Sequence, residues 1–140
     1  MKKYSYIFLC SFILLVAVNI EAKNADLAES FIGEWETNVE NANGTRVFMS
    51  AIYKVDGTCM THVEFTIKNT LTTKADIEEV WEIIDDTIQY RITKSNNSEL
   101  YEVGHESKVK IISVKEDVIT LQNTNCDDFS SNTIFQLLRK

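Results

Sequence analysis

Few side chains in this chain could support catalysis. Its 140 residues include two histidines, His62 and His105. A Ser-His-Asp set or a zinc site would need one of them held beside fixed partners. His62 stands in an alternating run, on the polar side with Met60 and Glu64, where a solvated histidine is expected. His105 follows Gly104 and lies between Glu102 and Glu106, without the fixed ligand spacing that defines a metal site. Carboxylates gather at Glu78, Glu79 and Glu82, with Asp85 and Asp86 in the turn that follows. Such groups can exchange protons, but on a strand of an acidic protein they read as solubilising and edge-protecting charge. The four glycines are scattered, so no phosphate-cradling loop is present. There is no Cys-x-x-Cys, and nothing beside Cys59 or Cys126 would lower a thiol pKa. The expectation is a non-enzymatic protein with no catalytic residue, no metal ligand and no cofactor.

Binding is the chemistry that remains. Met49, Tyr53, Phe65, Trp81, Tyr90 and Phe135 fall on the apolar sides of their segments. Side chains of this kind either fill a core or line an apolar pocket for a small molecule. In the second case the Tyr53 and Tyr90 hydroxyls would orient the ligand.

Those residues sit on short alternating runs. Ile88, Tyr90 and Ile92 share one side of Thr87–Thr93, and Gln89 and Arg91 the other. Cys59, Thr61, Val63, Phe65 and Ile67 form the dry side of Cys59–Lys68. Period-two alternation is the mark of a strand with one buried face. Arg46–Val55, Ile77–Ile84, Lys108–Val114, Val118–Gln122 and Asn132–Arg139 are further strands by their Val, Ile, Thr and aromatic content. Glu99–Val103 is a weaker one. Ahead of them, Asp26–Ile32 has the spacing of a short helix.

Asp56-Gly57 lies between two alternating runs, a strong hairpin signal. Asp85-Asp86, Asn96-Asn97 and Glu116-Asp117 occupy comparable places. Only Asn69–Asp76 and Asn123–Ser131 read as long loops. Parallel strands need crossovers of a dozen residues or more, so consecutive strands should pair antiparallel. An up-and-down meander hides its edges by closing on itself. The expected fold is all-β: an antiparallel meander closed into a small barrel of about eight strands, with a short N-terminal helix. A sandwich is the competing architecture.

The first 22 residues differ from the rest. Lys2 and Lys3 precede an apolar run from Ile7 to Ile20, and Ala22 is a small residue at a cleavage position. This is the plan of a secretory signal peptide, and the run is shorter than a bilayer-spanning helix. Residues 1–22 are therefore expected to be a signal peptide and 23–140 the barrel domain, periplasmic or secreted, with no membrane span after cleavage. Removing Lys2, Lys3 and Glu21 takes the net charge from −7 to −8. That balance excludes a nucleic-acid partner, which would call for basic clustering. Of three cysteines, Cys59 and Cys126 remain, an even pair that in an exported protein suggests a disulfide. If Glu99–Val103 counts as a strand, the up-and-down order brings both cysteines to one end of the barrel. Without it the parity fails.

Phe31-Ile32-Gly33-Glu34-Trp35-Glu36 places Gly-x-Trp at the start of the first strand, after the short helix. With the meander behind it, this resembles the lipocalin-like families. The Tyr53-Lys54-Val55-Asp56-Gly57-Thr58 segment is similar to the second hairpin of small bacterial lipocalin-like domains. The resemblance implies a calycin-type barrel. In it Gly33 lets the chain turn into the first strand, Trp35 plugs the closed end, and Arg139 covers the tryptophan. It also implies a small apolar or amphipathic ligand held inside. The alternative is an envelope or periplasmic interaction module, such as an inhibitor of a basic enzyme. Its acidic surface would steer a basic protein partner.

Overall fold

The computed structural model describes residues 23–41, 43–125 and 132–140. The expected signal peptide at 1–22 lies outside them. Residues 23–31 form helix α1. Eight strands follow: β1 (Gly33–Glu40), β2 (Thr45–Tyr53), β3 (Thr58–Ile67), β4 (Thr70–Ile84), β5 (Thr87–Ser95), β6 (Glu106–Val114), β7 (Val118–Asn125) and β8 (Ile134–Arg139). Each pairs antiparallel with the next, and β1 pairs with β8 to close the barrel. No helix among the described residues is long and apolar enough to cross a membrane.

The closing seam is short, with Trp35 opposite Arg139 and Glu36 opposite Leu138. Lys140 N–H extends it by donating to the Glu34 carbonyl at 3.0 Å. The ladder between β5 and β6 is also short. It runs from Thr87–Lys110 to Arg91–Glu106. Beyond it, Ile92 exchanges backbone bonds with Gly104 and His105 in the loop.

The alternation read from sequence holds on the walls. Val47, Ala51 and Tyr53 on β2, Cys59, Thr61 and Val63 on β3, and Ile88 and Ile92 on β5 all turn inward and are buried. The Asp56-Gly57 hairpin forms as expected. Gly57 takes the left-handed φ of +82°, and the Asp56 carboxylate accepts from Thr58 N–H at 3.0 Å.

Three expectations need correction. Asn69–Asp76 is not a loop, because β4 begins at Thr70. The β3–β4 turn is made by Lys68 and Asn69, both at positive φ (50° and 63°). Two residues of that kind form the tight turns favoured in hairpins. The strand was hidden because Thr70, Leu71 and Thr72 project past the core and are all exposed, so no alternation marks them.

Glu99–Val103 is a run of turns rather than a strand. That settles the parity. The turns after β1, β3, β5 and β7 share one end of the barrel, and those after β2, β4 and β6 share the other with Gly33 and Arg139. Cys59, opposite Tyr53 and Glu79, is at the second end, whereas Asn125, opposite Lys108, is at the first. The parity that would bring both cysteines to one end is therefore not met. Cys59 is a free, buried thiol, and Cys126 lies outside the described residues.

Candidate functional site

The helix end of the barrel is filled. Phe31 and Trp35 are fully buried there. Trp35 Nε1–H donates to the Phe31 carbonyl at 2.7 Å, tying α1 to β1. Gly33 makes the corner between them at φ +128°. A Cβ at Gly33 would meet Arg139 Nη1 at 2.8 Å. The Arg139 guanidinium lies 4.2 Å from the centre of a Trp35 ring, within the range of a cation–π contact. It also donates to the carbonyls of Glu116, Ile32 and Ser30 at 3.0, 3.2 and 3.3 Å. Gly33, Trp35 and Arg139 thus occupy the places that the lipocalin resemblance gave them.

Above this plug an aromatic layer forms. The Tyr53 ring sits edge-on to Phe31 and to Trp81, with centroids 5.6 and 5.1 Å apart. Trp81 Nε1–H donates to the Thr58 carbonyl at 3.1 Å. Trp81 therefore belongs to the floor.

Over that floor lies a cavity of about 70 Å³, walled by Met49, Tyr53, Tyr90 and Phe135 with others from strands β2 to β8. Tyr101 and His105 reach it from the β5–β6 loop. Of the six expected ligand-contacting residues, Met49, Tyr53, Tyr90 and Phe135 meet at this cavity. Trp81 packs beneath it, and Phe65 packs against the core nearer the other end of β3. Parity along a strand gives the face of a residue but not its height in the barrel. That is why Trp81 and Phe65 appeared equivalent to Tyr53 and Tyr90.

The polar groups inside are arranged in pairs. The Tyr53 and Tyr90 hydroxyls are 2.6 Å apart. Thr61 Oγ1–H donates to Glu79 Oε2 at 3.1 Å, and Cys59 Sγ lies 3.5 Å from Thr61 Oγ1. Burial, and then the neighbouring Tyr90 hydroxyl, push the Tyr53 hydroxyl well above its usual range. Burial likewise pushes the Cys59 thiol up to about 12. Both groups are held protonated at neutral pH, and Cys59 is not an activated nucleophile.

Glu79 is the residue the sequence reading misplaced. The expectation is surface charge shared with Glu78 and Glu82, yet Glu79 points inward and is buried. The signal was available, since Glu79 lies two residues before Trp81 and so shares its face. Glu78 does stay outside, paired with Lys94 Nζ at 2.9 Å. His62 is on the outer wall as expected. Its Nδ1 lies 2.6 Å from Asp76 Oδ1 and its Nε2 3.0 Å from Glu64 Oε1. No group of three or more metal-ligating side chains is found among the described residues.

Comparison with solved structures bears on the architecture. A de novo designed fluorescence-activating β-barrel superposes with a TM-score of 0.51 and 11% identity, covering 82% of this chain and 98% of that one. The shared feature is the closed barrel. The fold is a closed, eight-stranded antiparallel barrel. A lipocalin-like protein from Bacteroides uniformis also matches, at 14% identity and a TM-score of 0.48, over 79% of this chain and 99% of that one. No protein-family model matches the sequence, and no curated protein matches it. In this barrel, the plug and the cavity follow one another along the axis, and one strand often serves both. On β4, Trp81 floors the cavity and Glu79, two residues before it, lines it.

Proposed function

We propose that the protein binds a small amphipathic molecule inside the barrel, without catalysing a reaction. The observation that supports this most directly is the aromatic-walled cavity with a hydroxyl pair at its base. Apolar walls carrying a few placed polar groups are the usual form of a small-molecule site. Ligand affinity would come from apolar surface removed from water, at about 25 cal/mol per Å² before ordering costs. The Tyr53 and Tyr90 hydroxyls would fix the orientation of the polar end. A binding role also suits the interior chemistry, where the one described cysteine is held as a thiol.

Export belongs to the same reading. The charged start, apolar run and small residue of 1–22 support removal of that segment and a periplasmic or secreted barrel. Mass spectrometry of protein from the producing cell would then find an N-terminus at Lys23.

Titration with an environment-sensitive hydrophobic dye tests the binding itself. Saturable enhancement of one dye per barrel is expected, reduced about three- to tenfold in affinity by Tyr53→Phe, since one hydrogen bond is worth about 0.5–1.5 kcal/mol. Non-saturating or absent enhancement would show that the interior is closed to ligands.

A further inference from the structure

We propose that Tyr101 is a tethered occupant of the cavity, and that the ligand is a single-ring phenol that takes the place of its ring. This inference rests on the reading of the cavity as the binding site and adds the chemical class of its ligand.

The cavity of about 70 Å³ is small for a ligand. An apolar cavity of about 150 Å³ holds a benzene molecule, and drug-sized ligands fill roughly 300 Å³ or more. A ring can therefore enter only if a lining side chain leaves. Among the tyrosine and phenylalanine rings that line the space, Tyr53, Tyr90 and Phe135 stand on β2, β5 and β8, strands paired on both sides. Tyr101 comes instead from the β5–β6 loop.

From Thr93 to Lys108 every residue is exposed or half-buried except Tyr101, which is 7% exposed. One side chain thus carries the burial of the loop, while Leu100 and Val103 beside it stay exposed. Segments with so little buried apolar surface open at low free-energy cost. The bond from Tyr101 N–H to the Asn97 carbonyl, at 2.9 Å, lies within the loop and can travel with it. Asn97 Nδ2 reaches Thr73 Oγ1 and the Lys74 carbonyl on β4 only at 3.4 Å, outside the range of a strong N–H···O bond.

The place that Tyr101 would vacate has the shape of a phenol ring. The Tyr53 and Tyr90 rings, 6.3 Å apart with 57° between their planes, offer it a tilted aromatic wall. Aromatic pairs favour such offset or edge-on contacts at about 4.5–7 Å. The Tyr53 and Tyr90 hydroxyls, 2.6 Å apart, form the polar base. A hydroxyl is a donor and carries two acceptor lone pairs, so a phenol hydroxyl can join that pair.

Calorimetric titration with p-cresol, the tyrosine side chain as a free molecule, tests this. An occupant lowers apparent affinity in proportion to the fraction of time the site stands open, so Tyr101→Ala should bind p-cresol at least about tenfold more tightly than the unaltered protein. Toluene should bind Tyr101→Ala about three- to tenfold more weakly than p-cresol does, as for one hydrogen bond. Leu100→Ala, exposed in the same loop, should leave the affinity for p-cresol unchanged. In the unaltered protein, saturating p-cresol should speed amide hydrogen exchange at Tyr101, a reading that does not depend on a variant folding. If a folded Tyr101→Ala binds p-cresol no more tightly, or exchange at Tyr101 slows, the ring is a wall and the inference is wrong, while binding in the cavity stands. An equal gain in Leu100→Ala would assign the effect to a loosened loop and not to the ring. If toluene equals p-cresol, the phenol class is wrong. If p-cresol binds neither protein saturably, the ligand-binding reading itself fails and takes this inference with it.

Discussion

The two ends of the barrel treat their polar groups in opposite ways. At the helix end, side chains bond to backbone. Trp35 donates to the Phe31 carbonyl, and Arg139 donates to three carbonyls while stacking on Trp35. Around the cavity, side chains bond to each other, as Tyr53 does with Tyr90 and Thr61 with Glu79. Backbone acceptors are fixed by the fold, so the first arrangement holds α1 and the strand ends in one geometry. Hydroxyl and carboxyl partners can turn toward an incoming molecule, so the second can exchange bonds with a ligand. The plug and the proposed binding cavity thereby sit at different heights of the same strands.

The largest test of that contrast is Trp35→Ala. Truncating a fully buried tryptophan leaves a cavity, at a cost of about 3–5 kcal/mol, and here it also removes the surface on which Arg139 stacks. Urea denaturation should show a loss in that range. A loss below about 1 kcal/mol would mean that the plug is not the centre of stability.

Gly33→Ala comes next. A side chain at φ +128° is strained, and its Cβ would displace the Arg139 guanidinium. The expected cost is about 1–3 kcal/mol by the same measurement. Adding Arg139→Ala should then cost less than it does alone, because the two share one contact.

Tyr90→Phe probes the other region. It removes half of the hydroxyl pair, so stability should change by only about 0.5–1.5 kcal/mol. Dye affinity should fall in parallel with that of Tyr53→Phe. A variant with unchanged dye affinity would separate the hydroxyl pair from binding.

The smallest effect is expected on the outer wall between the ends. The hydrogen bonds that the His62 ring donates to the Glu64 carboxylate, and then to that of Asp76, raise its pKa above the ordinary 6.5. That contribution is fully present below about pH 6.5 and is lost as pH rises through the higher folded value. The hydrogen bond from His62 holds Asp76 below its ordinary 3.8, so its contribution is present above that value and is lost as pH falls further. The pair therefore stabilises most between those two limits. His62→Gln should flatten the decline of stability above pH 6.5, which thermal melts across pH 5–9 would record. His62 and Asp76 are solvent-facing, so the change should be small beside the others.

Much of the barrel was legible before the structure. Alternation at Cys59–Lys68 and Thr87–Thr93 gave strands and faces, and Gly33, Trp35 and Arg139 gave the plug. The failures share a cause, which is that period two carries information only where one face is buried. Thr70–Thr72 extend beyond the core, so a strand there looked like a loop. Glu99–Val103 contains apolar residues, but Tyr101 is buried from a loop, not from a strand. The cavity was less legible than the fold because it depends on three-dimensional height. Met49, Tyr53, Tyr90 and Phe135 were found by face alone, Glu79 was lost to its acidic neighbours, and Tyr101 and His105 arrive from a loop that carries no periodic signal.

Amide-resolved NMR titration with benzyl alcohol tests ligand binding in the interior most directly, since it reads each wall of the barrel separately. Saturable shifts should centre on Tyr53, Glu79, Tyr90, Tyr101 and Phe135, with Trp35, Ile119 and Arg139 unmoved. Shifts that fail to saturate, or that centre on the plug or the outer wall, would contradict a binding cavity inside this barrel.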